Sequence, residues 1–200
     1  NSKKDLLPSI FKNSQNIMLG STVDSDIPIL SQALDALNQN FFDNDVHLII
    51  VPHEIGENDL LPLEKLLSEK GLSHQRLSEF DKVNPPQVLI VNKVGILADL
   101  YAYGKIAYIG AGFSTGVHSV IEPAVHKCAV VYGPRVDILN EAIEMTQCNA
   151  GVMINNGNEL ANVFEKIKYP TELEKLRNRA YQYVIEKEYA STRIIDEIFK

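Results

Sequence analysis

Four segments of the chain bring glycine, hydroxyl, imidazole and carboxylate groups together at spacings that suit a phosphorylated small molecule. The longest is Gly110-Ala111-Gly112-Phe113-Ser114-Thr115-Gly116-Val117-His118-Ser119-Val120-Ile121-Glu122-Pro123, with three glycines in its first seven residues. Glycine lets backbone approach a ligand closely and adopt positive φ without strain. A run of free N–H groups leading into a helix is a ready anion site. The pattern is neither the dinucleotide fingerprint nor a Walker loop. A plain account competes with the chemical one. Ser119 and Glu122 are spaced as a capping box, and Pro123 suits a first helical turn. On residue types alone the two accounts of Glu122 carry equal weight. The other three segments are Gly20-Ser21-Thr22, Pro52-His53-Glu54 and Asn92-Lys93-Val94-Gly95. These too have plain readings, as turns or a solvated pair, and His118 could be an ordinary loop histidine.

Each segment follows a short apolar run. Ile17-Met18-Leu19 precedes Gly20, Val46 to Val51 (VHLIIV) precedes Pro52, Val88 to Val91 precedes Asn92, and Ile106 to Ile109 precedes Gly110. Two more runs, Ala129 to Tyr132 and Gly151 to Ile154, complete a set of six predicted strands. Helical spacing is predicted between them: Ile27 to Phe42, Leu60 to Leu67, Leu97 to Tyr101, Glu122 to His126, Ile138 to Met145 and Leu160 to Ile167. Continuous apolar strands separated by helices predict a parallel sheet covered on both faces. The fold class is α/β, a doubly wound sheet. Ligands in such sheets sit at the carboxyl ends of the strands, where all four segments lie. Thr171-Glu172-Leu173-Glu174 reads as a capping box after Pro170, and predicts terminal helices over about 171–200. Neither a repeat nor a linker interrupts residues 1–200, so one domain is expected. The start, Asn1-Ser2-Lys3-Lys4, reads as a cut from a longer chain.

Composition narrows the function. Hydrophobic residues are 45% and charged residues 22%, the balance of a folded globular chain. No stretch approaches the roughly 18 to 20 apolar residues of a membrane span. A net charge of −7 argues against a nucleic-acid partner, which calls for a basic face. Two cysteines, Cys128 and Cys148, without a CxxC, read as reduced thiols. His47, His53, His74, His118 and His126 show no ligand spacing, so no metal and no cofactor are expected. His47 lies within a predicted strand and reads as structural.

Taken together, the loops resemble the C-terminal half of a 3-deoxy-D-manno-octulosonic acid (Kdo) transferase, a GT-B glycosyltransferase of lipopolysaccharide biosynthesis. The matching segments are Gly20-Ser21-Thr22, Val51-Pro52-His53-Glu54 and Gly95-Ile96-Leu97-Ala98-Asp99-Leu100-Tyr101. They continue with Tyr108-Ile109-Gly110-Ala111-Gly112-Phe113, Gly116-Val117-His118-Ser119-Val120-Ile121-Glu122-Pro123-Ala124 and Val130-Val131-Tyr132-Gly133-Pro134. The matches are collinear from about Ile17 to Ile167. Three positions depart from the family pattern. Ser119 stands for its Asn, His53 lies nearest the place of an Arg, and the segment after Gly133-Pro134 lacks a His or Asn.

The resemblance implies the Rossmann-like donor half of a GT-B fold, holding CMP-Kdo. It carries Glu122 to the ribose hydroxyls, the backbone at Gly95, Ile96 and Leu97 to the cytosine edge, and His118 to the phosphate. Gly112, Phe113 and Ser114, with Gly20 and Ser21, would donate to the phosphate and the Kdo carboxylate. Thr22, His53, Glu54 and Ser119 complete the donor set. The resemblance puts the general base, the acceptor domain and most contact with lipid A precursor outside this chain, so no catalytic residue is assigned here and no turnover is expected from it alone. It also implies a cytoplasmic protein at the inner face of the bacterial inner membrane. Were the terminal helices to pack on that other domain, Ile194, Ile195, Ile198 and Phe199 would be left partly exposed here, and a homo-oligomer is one way to cover them. Two rival readings stand beside this one. One is the donor domain of another GT-B enzyme, a UDP-sugar transferase or a UDP-GlcNAc 2-epimerase-like protein. The other is a non-catalytic binding domain whose loops are only turns.

Overall fold

The computed structural model describes residues 6–38, 40–43 and 45–198, with side chains described as far as residue 187. Its strands are β1 (Gln15–Thr22), β2 (Val46–Pro52), β3 (His74–Arg76), β4 (Val88–Ile90), β5 (Gly104–Ile109), β6 (Ala129–Tyr132) and β7 (Gly151–Met153). They pair in parallel throughout, in the order β3-β4-β2-β1-β5-β6-β7. Every residue of β2 is buried, as a central strand covered on both faces must be. His47 within it is 8% exposed, and its Nδ1 lies 2.9 Å from Pro86 O, which makes it a structural residue.

The helices are α1 (Ile27–Ala36), α2 (Glu57–Glu69), α3 (Leu97–Leu100), α4 (Ile121–Val125), α5 (Asn140–Gln147), α6 (Gly157–Phe164) and α7 (Pro170–Ile198). Strand side chains alternate between two separate cores. Ile17, Leu19, Leu48, Ile50, Ile106 and Tyr108 meet the buried faces of α1, α2 and α6. Met18, Ile49, Val51, Ala107 and Ile109 meet Leu100, Tyr101, Ala124, Ala142, Met145 and Ala180 of the opposite layer. Among the described residues, no helix is long and apolar enough to cross a membrane.

Three local expectations are corrected. Strand β3 has no apolar run: His74, Gln75 and Arg76 are all half-buried at the sheet edge. Arg76 is instead held to α2, its Nε 2.7 Å from Glu64 Oε1 and its Nη1 2.6 Å from Glu57 Oε1. Helix α1 ends at Ala36, because Leu37 turns extended at φ −69°, ψ 147°. Phe41 is still fully buried, edge-to-face against Phe42 at 5.1 Å, so its helical-looking spacing comes from packing. The tail, finally, is one helix of 29 residues rather than two. Pro170 opens it, where a missing N–H costs nothing, and Tyr169 O accepts from the N–H groups of Glu172 and Leu173. Thr171 is therefore inside the first turn and not its cap. The side chains of Ile194, Ile195, Ile198 and Phe199 lie outside those described.

Candidate functional site

The sheet order reverses between β1 and β5. The chain leaving β1 enters α1 on one face, whereas the chain leaving β5 runs to α4 on the other. Such a switch point opens a crevice at the strand ends. Here the two exits touch: Gly110 N donates to Gly20 O at 2.9 Å. A Cβ on Gly110 would overlap Ser21 O and lie 2.7 Å from both Thr22 Cα and Asp26 Oδ2. Ser21 (φ 53°) and Ala111 (φ 64°) are both left-handed, a conformation that costs a residue with a Cβ.

Beneath this crossing lies Asp26, fully buried. Its Oδ2 accepts from Val23 N at 2.9 Å and from Ala111 N at 3.0 Å, and its Oδ1 accepts from Tyr108 Oη at 2.6 Å. Burial pushes this carboxyl above its ordinary value near 3.8, while the three hydrogen bonds pull it back. Between 3.8 and the folded value, the native state holds a proton that the unfolded state has lost, so stability contributed by this group falls as pH rises. Asp26→Asn does not titrate. Wild-type stability measured against that variant by urea unfolding is therefore expected to decline as pH rises above about 4, by at most about 1.4 kcal/mol per pH unit. A flat difference would sink this assignment.

A cleft of about 370 Å³ opens beside the crossing. Of the candidate residues, Thr22, His53, Glu54 and Ser114 line it. Ser114 Oγ accepts from Ser25 Oγ at 2.8 Å across the two loops. His118 joins this flank by stacking on His53, ring centroids 5.7 Å apart and planes 21° apart. Glu54 lies 4.0 Å from His53 Nε2. Gly20, Leu97 and Glu122 belong to the opposite flank. A Cβ on Gly20 would overlap Tyr101 Oη and approach Leu97 Cδ1 to 3.1 Å. Burial first, then the charges of Cys128 and Glu122, push the Tyr101 hydroxyl above its ordinary range, and α4, which carries Glu122, packs against the Tyr101–Tyr103 turn. Gly95 is exposed, Ile96 is half-buried, and neither lines the cleft.

Two details revise the sequence picture. The capping box at Ser119 does not form: α4 has Val120 as its N-cap, with no side-chain bond, and Glu122 is exposed. The structural account of Glu122 loses its support. The run of free N–H groups is also shorter than expected, because the glycine loop folds on itself. Ser114 N and Gly116 N both donate to Ala111 O, and Ala111 N is taken by Asp26.

Asp26 was missed in the sequence, and Tyr101 and Tyr108 entered only as members of the matching segments, with no role. Asp26 has the look of an ordinary residue before an apolar helix. Tyr108 carried the one usable hint, since a tyrosine inside a buried strand needs a hydrogen-bond partner. Arg135 was missed as well: its N–H donates to Gly112 O at 3.0 Å, and its carbonyl accepts from Val117 N at 3.2 Å. The exposed Arg135 is thereby tied through its backbone to the glycine loop.

No protein-family model matches the chain. Over 146 residues it is 30% identical to the 3-deoxy-D-manno-octulosonic acid transferase of Aquifex aeolicus, covering 72% of this chain and 39% of that protein. Identity to the enzyme of the same name from Rickettsia bellii is 25% over 169 residues, covering 84% of this chain and 40% of that one. The chain thus spans about two fifths of the length of these curated relatives. Among solved structures, the C-terminal CMP-Kdo binding domain of WaaA from Acinetobacter baumannii superposes with a TM-score of 0.72 at 20% identity, covering 87% of this chain and 91% of that one. Anabaena HepE in complex with UDP-glucose superposes at 0.63 with 15% identity, covering 88% of this chain and 45% of that one. These likenesses show the fold, one Rossmann-like half of a GT-B enzyme. With the collinear loops and the sequence relatives, they lead to one conclusion: the chain is a counterpart of the C-terminal domain of the 3-deoxy-D-manno-octulosonic acid transferases.

Proposed function

We propose that residues 1–200 form the donor-binding domain of an enzyme that transfers Kdo from CMP-Kdo to a lipid A precursor. The observation that carries this reading is the uncapped, exposed Glu122 in the first turn of α4, the helix that packs on the Tyr101–Tyr103 turn next to the β1/β5 switch point. A carboxylate there can accept from two vicinal ribose hydroxyls, two charge-assisted bonds that a neutral residue would not match. The base edge would meet the backbone of Gly95, Ile96 and Leu97 on the same flank. The phosphate and the sugar carboxylate would lie toward Gly20, Ser21, Gly112, Phe113 and Ser114, with His118 and Ser119 beside them and Thr22, His53 and Glu54 lining the cleft beyond. Similarity to 3-deoxy-D-manno-octulosonic acid transferases and to the CMP-Kdo binding domain of WaaA supports the choice of donor.

The general base for the acceptor hydroxyl and the lipid acceptor itself would come from the facing half of the GT-B cleft, outside this chain. The working protein would lie on the cytoplasmic face of the bacterial inner membrane.

Titration of the chain with CMP, UMP and UDP by calorimetry, repeated on Glu122→Gln, tests the reading. CMP is expected to bind best, and the variant to bind it about tenfold more weakly, the value of a lost charge-assisted bond. Preference for UDP would move the assignment to a UDP-sugar enzyme. Absence of binding to all three nucleotides would count for loops that are only turns.

A further inference from the structure

The proposed donor site leaves its most unusual group without a task. Asp26 is a carboxylate with no exposed surface and, among the described residues, no cationic partner; three neutral donors satisfy it. It begins α1, yet its side chain makes no capping bond to that helix. It turns instead to the two loop exits, Val23 from β1 and Ala111 from β5. Both exits contain a left-handed residue with a Cβ, Ser21 and Ala111, and both are crowded enough that Gly110 admits no side chain. Backbone in that state persists only where the surroundings over-determine it, and it gathers at ligand clamps.

We propose that Asp26 is a positioning residue: one carboxylate oxygen, shared between the N–H groups of Val23 and Ala111, sets the spacing of the two loops that bound the crevice. The inference rests on the crevice being the donor site, since only then does loop spacing control affinity. With Ala111 N held from below, the turn that closes on Ala111 O, and with it Gly112 and Phe113, is fixed in place. Val23 N, two residues beyond Ser21, fixes the opposite wall in the same way. The hydroxyl of Tyr108 anchors the second oxygen to the strand that carries the glycine loop, so the carboxylate cannot rotate.

The role is one of hydrogen bonding rather than of charge, and this makes it separable from bulk stability. An amide is the same shape: its oxygen can accept from both N–H groups while its NH₂ donates to Tyr108 Oη. The test therefore compares Asp26→Ala with Asp26→Asn, and reads both CMP affinity and hydrogen exchange at the amides of Val23 and Ala111. Asp26→Ala is expected to lose exchange protection at those two amides and to bind CMP at least about tenfold more weakly, the effect of loosening a site by fractions of an ångström. Asp26→Asn is expected to keep both within about threefold, which general destabilisation would not predict. If Asp26→Ala does not fold, Ala111→Gly in its background relieves the left-handed strain and is expected to restore folding without restoring affinity. A folded Asp26→Ala protein with wild-type protection and wild-type affinity would overturn the proposal, as would an Asp26→Asn protein that loses both. Should wild type bind no CMP, the donor reading fails, while the exchange arm still decides the role of Asp26.

Discussion

Gly110→Ala is expected to lower the melting temperature by about 4–12 °C and to weaken CMP binding at least about tenfold. The added methyl has nowhere to go, since it meets Ser21 O, Thr22 Cα and a buried carboxylate oxygen rather than the end of a flexible side chain. Overpacking of this kind costs about 1–3 kcal/mol, and a rigid backbone neighbour pushes the cost to the upper part of that range. Relief requires separating β1 from β5, which stretches the Gly110–Gly20 hydrogen bond and the Asp26 bond to Ala111 together. The binding loss follows from the same movement. Gly71→Ala makes the control: its φ of 68° is left-handed but nothing lies within 4 Å, so only the backbone cost of about 1–2 kcal/mol applies and affinity should hold. Thermal unfolding by circular dichroism reads the first effect and calorimetry the second. A Gly110→Ala protein melting within a degree of wild type would show that the crossing is looser than its geometry states.

A larger stability effect is expected from Phe164→Ala, about 3–5 kcal/mol and therefore a fall of about 6–20 °C in melting temperature. Phe164 is 1% exposed and ends α6, whose job is to cover α1 and the central strands. The two helices approach closely because Gly157 has no side chain: a Cβ there would overlap Ile29 O, and Gly157 N donates to Gln32 Oε1 at 2.8 Å. Asn156 caps α6 by accepting from Glu159 N at 3.0 Å, which starts the helix at the right place to make that contact. Removing the ring leaves a cavity between rigid elements that relax only in part. Since Phe164 lies at the far end of α6 from that contact, CMP affinity of the folded protein is expected to stay within about threefold. The contrast with Gly110→Ala is the point of the pair: one substitution unties the site, the other weakens the scaffold behind it. Equal affinity losses in both would mean that the crevice senses overall stability, and that the loop crossing has no special part.

The regular part of this fold was written in local pattern. Runs such as VHLIIV, apolar on both faces, can be satisfied only in the middle of a covered sheet, and six of the seven strands follow from that requirement. The loops at their ends were legible for the same reason, because a parallel strand must deliver its glycine and hydroxyl residues to one edge. Collinear motifs then carried the chain to its relatives. Strand β3 was hidden because an edge strand held by ion pairs to α2 needs no apolar run. The tail's single helix was hidden because a proline reads equally as a break and as a first turn.

What the residues do to one another across the crevice was decided by tertiary structure alone. Asp26 and Ala111 are far apart in the chain, and nothing in either local sequence says that a carboxylate beside one will meet the backbone of the other. The stacking of His53 on His118 and the hydroxyl pair Ser25–Ser114 arise in the same way, from loops brought together by the β1/β5 reversal. Glu122 makes the division plain. Its spacing from Ser119 permits a capping box, but α4 starts one residue later than that box requires, and the carboxylate is left facing solvent. Pattern determines which groups a strand end can offer; the packing of two helical layers determines which of them remain free to bind.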